Sequence, residues 1–187
     1  MAKTFAGLNE LNRLEETLPQ MSRRQRSAFS AVCAERVILL VENYFGHATD
    51  CLKAIDLTWR FALGENISTS EVERVAQDCD SLVEKLYKDD ETGSILGAVN
   101  VACYALETTR DPEPEPALRA AVNARSAARI DDRKHGDEYL QEEAEWQILA
   151  LEVALNTLQP TRDMFRRLPS NPNWSQVYLR NPQPDRS

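Results

Sequence analysis

The chain of 187 residues has only two histidines, His47 and His135, and its four cysteines, Cys33, Cys51, Cys79 and Cys103, form no Cys-x-x-Cys pair. A structural zinc site draws on closely spaced Cys and His ligands, so zinc is not expected. Glycine is also scarce, at six residues. No G-x-G-x-x-G, P-loop, G-x-S-x-G or H-E-x-x-H stretch occurs, which removes the common nucleotide, hydrolase and metalloprotease signatures. No run is apolar enough to cross a membrane, and the N-terminus lacks the pattern of a secretory signal, so a cytoplasmic chain is expected. Basic residues are outnumbered, 22 against 30 acids, for a net charge of −8. A general nucleic-acid binder needs a basic face for phosphates, so that class is excluded too.

What is present is helical periodicity. Apolar residues recur at three- and four-residue steps almost throughout, and no convincing alternating strand is found. An all-α fold is expected, a single bundle of about six or seven helices over residues 1–160, with an irregular C-terminal tail over 161–187 that packs back in part. The spacing predicts helices over 8–17, from Ser22 to about 44, 49–63, from Ser68 or Ser70 to about 86, 94–107, 117–131 and from about 137 to Pro160. Ser22 with Gln25, and Ser68 with Glu71, have capping-box spacing. Core stripes are predicted at Leu52, Ile55, Trp59 and Ala62, at Val72, Val75, Cys79, Leu82 and Leu86, and from Leu140 through Ala144, Ile148, Leu151 and Leu155 to Leu158. The fifth helix carries Gly97, Ala98, Ala102 and Ala105, small side chains that let neighbours come close. The run Asp111-Pro-Glu-Pro-Glu-Pro116 predicts an extended connector, since proline cannot donate within a helix.

Two charges stand out against this apolar background. Glu35 has Ala31, Val32, Ile38 and Leu39 as its helical neighbours, and Arg36 has Val32, Cys33, Leu39 and Leu40. Buried charges need partners. The pair therefore reads as a structural ion-pair element that fixes helix register, with Asp56 and Arg60 as candidate partners. The cysteines, each inside an apolar stripe, read as buried free thiols without disulfides.

The acids concentrate in the middle of the chain, and the ends are mildly basic. Glu138, Glu142 and Glu145 share one helix face, preceded by Asp132 and His135. A helical di-metal site uses two carboxylate–histidine motifs on facing helices, and only one is present here. The acids therefore read as a solvated face, with a carboxylate-based metal-dependent hydrolase kept as an alternative. The paired acidic motifs of helical nucleotide pyrophosphohydrolases are not visible. The clusters Arg23, Arg24, Arg26 and Arg162, Arg166, Arg167 read as ion-pairing to the acidic body.

The segments Arg23-Arg24, Cys33-Ala-Glu-Arg-Val37, Ala54 to Trp59, Gly64-Glu-Asn-Ile-Ser68 with Glu71, and the small-residue helix from Gly97 to Ala105 resemble a group of all-helical immunity proteins from bacterial polymorphic toxin systems. With Glu143-x-Glu-Trp-Gln147 they are also similar to the YjaG-like family, a bacterial helical domain of unknown function. The likeness covers roughly residues 20–107. It implies a non-enzymatic cytoplasmic protein, without cofactor or metal, that binds and blocks a cognate protein toxin. It gives no contact residues. The alternative implied by the second likeness is a helical interaction or housekeeping protein. Charge and exposure nominate three acidic partner surfaces: Asp89, Asp90 and Glu91; Asp111, Glu113 and Glu115; and Asp131, Asp132, Asp137, Glu138 and Glu142.

Overall fold

The computed structural model describes residues 8–87, 93–130 and 136–169, without the side chains of residues 8, 129–130 and 136–138. Eight helices occur there and no strand: α1 (Leu8–Thr17), α2 (Arg23–Phe45), α3 (Thr49–Ala62), α4 (Thr69–Leu86), α5 (Gly93–Glu107), α6 (Glu115–Ile130), α7 (Gly136–Leu155) and α8 (Arg162–Arg166). The fold is all-α, as the periodicity predicts.

The long helix α2 is the centre of the bundle. Its buried residues run from Gln25 to Val41 on almost every side, and it packs against α3, α5, α6 and α7. A helix apolar or small all round belongs in an interior. Its start is a capping box as predicted: Gln25 N–H donates to Ser22 Oγ at 3.3 Å, and Ser22 N–H donates to Gln25 Oε1 at 2.7 Å. The amide end of Gln25 also donates to the carbonyls of Leu155 and Thr157, at 2.9 and 3.1 Å. One buried side chain thus opens α2 and satisfies carbonyls at the end of α7, which terminates at Leu155. Leu158, predicted in the α7 stripe, therefore lies beyond the helix and is 92% exposed. At its other end α2 stops at Gly46, whose φ of +72° is a conformation that favours glycine.

Small residues set the closest packing. α5 lies against α6, where Ala117, Ala120, Ala121, Ala124, Ala127 and Ala128 are all fully buried. A Cβ on Gly97 would stand 3.4 Å from Ala127 Cβ and 3.5 Å from the backbone of Ala127 and Asn123. These are ordinary van der Waals separations, so a methyl group there would meet α6 without a clash.

Four local expectations need correction. Helix α6 starts at Glu115, inside the proline run, because Pro116 sits in its first turn, where no N–H is required. Ser68 precedes α4 without capping it: its hydroxyl lies 2.8 Å from that of Ser70, and Glu71 is drawn away to Arg60 at 3.2 Å. Leu52 is exposed, on the outer side of α3. The tail is not irregular at its beginning. Residues 162–166 form α8, held by Phe165, which is buried edge-on against Trp59 at 5.8 Å between ring centres. The later tail aromatics, Trp174 and Tyr178, lie outside the described residues.

Candidate functional site

Glu35 and Arg36 are sequence neighbours whose side chains diverge into two different polar clusters. They do not pair with each other, and Asp56 and Arg60 are not their direct partners. Arg36 Nε binds Glu143 Oε2 at 2.8 Å, and its guanidinium lies 4.0 Å from the centre of the Trp146 ring. The Glu143 side chain is wholly buried and that of Arg36 is 12% exposed. Gln147, also buried, donates to Glu143 Oε1 at 3.2 Å and to the Ala121 carbonyl at 3.0 Å. Arg125 Nε donates to Gln147 Oε1 at 2.6 Å, and burial lowers this guanidinium below its usual value. A network of two arginines, a glutamate and a glutamine therefore joins α2, α6 and α7 inside the apolar core. Low polarity makes each of its bonds strong and each lost bond costly.

Glu35 faces α3 and α8 instead. It accepts from Trp59 Nε1 at 3.0 Å and pairs with Arg162 Nε at 3.1 Å. Arg162 also approaches Asp56, at 3.8 Å, and lies over the Trp59 ring. Burial pushes the Glu35 carboxyl above its usual range, with Arg162 and the Trp59 hydrogen bond opposing. Arg60 is occupied by Glu65 and Glu71. The Glu35 side chain keeps 31% of its exposure and Arg162 keeps 38%, so water can replace what a mutation removes. Glu35→Ala should cost only about 1–2 kcal/mol, which thermal melts would read as a drop of roughly 2–8 °C. An unchanged melting point would show that this contact is not stabilising.

The basic cluster at the start of α2 serves carbonyls rather than carboxylates. Arg26, buried and lowered by desolvation, donates to the Met21 carbonyl at 2.7 Å and to the Pro112 carbonyl. Arg23 Nε donates to the Thr108 carbonyl at 3.0 Å and stacks on Phe61. Asp111 Oδ1 accepts from the Glu113 N–H at 2.9 Å. The start of the proline-rich connector is therefore tied to α2 through Pro112 and turned by the Asp111–Glu113 bond.

That connector borders a groove of about 380 Å³ between α4, α5 and α6. Asp80, Glu107, Asp111 and Glu115 line it, with Arg110, Arg119, Tyr104 and Cys103. Arg110 pairs with Glu107 at 3.5 Å and Arg119 with Glu115 at 2.9 Å. Four acids against two arginines leave the lining net negative, with Glu113 exposed beside it. Of the expected partner residues, the structure thus brings Asp111 and Glu115 together and adds Asp80 and Glu107. Nothing in the sequence singles out these two, because their proximity follows from how α4 and α5 pack.

Glu142 is partly buried on α7, and Glu145 is exposed, accepting from Gln141 at 2.8 Å. Asp89, Asp90, Glu91, Asp131 and Asp132 lie outside the described residues, as do the side chains of Asp137 and Glu138. Among the described residues no three His, Cys, Asp or Glu side chains are placed to hold a metal ion. The four cysteines are free thiols, buried except for Cys103, which is partly exposed.

No described helix is long and apolar enough to cross a membrane. No protein-family model, curated protein or solved structure matches the chain.

Proposed function

We propose that this all-α bundle is an immunity protein, which binds a cognate bacterial toxin and covers that toxin's active site. The observation that carries the reading is the acidic groove between α4, α5 and α6, set on a connector that Arg26 and Asp111 hold in shape. A surface fixed before binding loses little conformational entropy on association. Its acids stand on helix ends and a loop, where they can vary to match one toxin without disturbing the core. The partner that such a groove fits presents a basic cleft, as an enzyme acting on a polyanion does. Complementary charge would speed the encounter, and apolar and aromatic contacts would supply most of the affinity. The resemblance of residues 20–107 to helical immunity proteins supports the same reading.

An immunity gene of this type directly follows the gene of a large toxin. Co-expression of the chain with the toxin domain encoded upstream should yield a complex that survives affinity capture and gel filtration. Separate elution of two folded proteins would contradict the proposal.

A further inference from the structure

Helix α8 is shaped by what it rests on. It is five residues long, lies between Pro160 and Pro169, and Thr161 opens it without a side-chain cap. A helix of this length does not hold itself together, so its form depends on docking. Phe165 is its one buried side chain, and Asp163, Met164 and Arg166 are exposed. Asp163 pairs with Arg166 at 3.4 Å inside the helix, which adds nothing to docking. Docking therefore rests on Arg162 and Phe165, whose spacing of three puts them on one helix face.

These two side chains meet a patch on α2 and α3. Phe165 stands edge-on to Trp59, at 5.8 Å between ring centres. The Arg162 guanidinium is 5.5 Å from the centre of the same ring, with Glu35 at 3.1 Å and Asp56 at 3.8 Å. The patch does not depend on α8 for its shape. Trp59 Nε1–H donates to Glu35 at 3.0 Å, so indole and carboxylate fix each other. The inward side of α3, with Ala54, Ile55 and Ala62, is buried in the core of the bundle. The ion pairs of Arg162 are partly exposed, and such pairs contribute little. One buried phenyl ring is thus set against the entropy of ordering the whole segment. A segment held in this way opens at a free energy well below that of the bundle.

We propose that the patch of Glu35, Asp56 and Trp59 is a recognition site for a helical segment carrying an arginine three residues ahead of an aromatic residue, and that α8 is the internal occupant which a partner's segment displaces. The chemistry of α8 shows what the patch takes: a guanidinium beside two carboxylates and over an indole, and an aromatic ring against the edge of that indole. The patch shares no residue with the acidic groove, so this site stands whether or not the groove binds a toxin.

The test uses the full chain carrying Arg162→Ala and Phe165→Ala, which empties the patch. The probe is a synthetic peptide with the sequence of residues 161–168, blocked at both ends. A segment on a short linker has an effective concentration on the order of millimolar, so the same sequence in trans should bind with a Kd of about a millimolar or lower. Binding should move the Trp59 indole N–H resonance back toward its position in the parent, and leave that of Trp146 in place. A peptide with alanine at the positions of Arg162 and Phe165 should move it less than about a tenth as far. The parent chain should bind the probe at least about tenfold more weakly, because α8 already fills the site. Hydrogen exchange of the unmodified chain keeps the proposal falsifiable if the variant folds poorly. The amides of α8 should exchange at least about tenfold faster than those of α3, through an opening insensitive to low urea. A folded variant that gives no shift at Trp59, an equal response to the alanine peptide, equal binding by the parent, or α8 amides that exchange only when the bundle unfolds would overturn the proposal.

Discussion

Replacing Glu143 by alanine should destabilise the protein by about 3–5 kcal/mol, the usual result of removing one partner from a buried ion pair. Glu143 is fully buried and accepts from both Arg36 and Gln147. Without it, the Arg36 guanidinium stays between α2 and α7 with 12% exposure, no carboxylate and little water. The stack on Trp146 cannot compensate, because cation–π contact contributes on the order of 1–2 kcal/mol and is already present in the parent. For a chain of this size the loss corresponds to a melting point lower by roughly 6–20 °C. Glu143→Gln should cost less, because it keeps an acceptor for Arg36. The double variant Arg36→Met, Glu143→Met should cost less than the sum of its single changes, since no orphaned charge is left between the two positions. Its recovery should be incomplete, because Arg125 still reaches Gln147 beside them. Calorimetry of the parent, Glu143→Ala, Glu143→Gln, the two single methionine variants and the double variant checks these statements, and strictly additive losses would contradict a shared network.

The second large effect concerns association. Asp80, Glu113 and Glu115 are exposed, and of their ion pairs only that of Glu115 with Arg119 is at the groove. Exposed pairs of this kind contribute little to stability. Reversing all three to lysine should therefore lower the melting point only modestly, through loss of the Glu115–Arg119 pair and of the Glu113 charge that supports the buried Arg26 guanidinium, and it turns the sign of the field at the groove mouth. Electrostatic steering raises association rates by factors of about 10 to 1000, mainly at low salt. Binding of the triple variant to the proposed toxin should accordingly slow by about tenfold or more in dilute buffer, with a much smaller difference at high salt. Stopped-flow measurement across a salt series reads both. An equal rate for parent and variant at low salt would place the interface away from this groove.

Helices were legible in the chain because their signal is local. The capping box at Ser22, the glycine after Phe45 and the small-residue face of α5 all act within a few residues of where they are read. The departures come from contacts made at long range. Helix α8 is only five residues, too short to form by propensity, and it exists through Phe165 against Trp59 and Arg162 beside Glu35. Glu143 hides among four acids within eight residues. Glu138, Glu142 and Glu145 share a face, and Glu143, one position on from Glu142, turns about 100° inward. Its signal was available in retrospect: Glu143, Trp146 and Gln147 follow a helical step, as do the buried Ala144, Leu151 and Ala154. Asp80 and Glu107 join Asp111 and Glu115 at the groove only through helix packing, although the sequence marks only the latter two.

The most direct measurement of the central claim is growth. Under the proposed immunity role, cells that express the product of the gene upstream should stop growing, and co-expression of this chain should restore growth. The Asp80→Lys, Glu113→Lys, Glu115→Lys variant, present at the same level, should restore it poorly. Continued arrest with the parent chain soluble and abundant would contradict an immunity role, and full rescue by the triple variant would contradict the groove as its working surface.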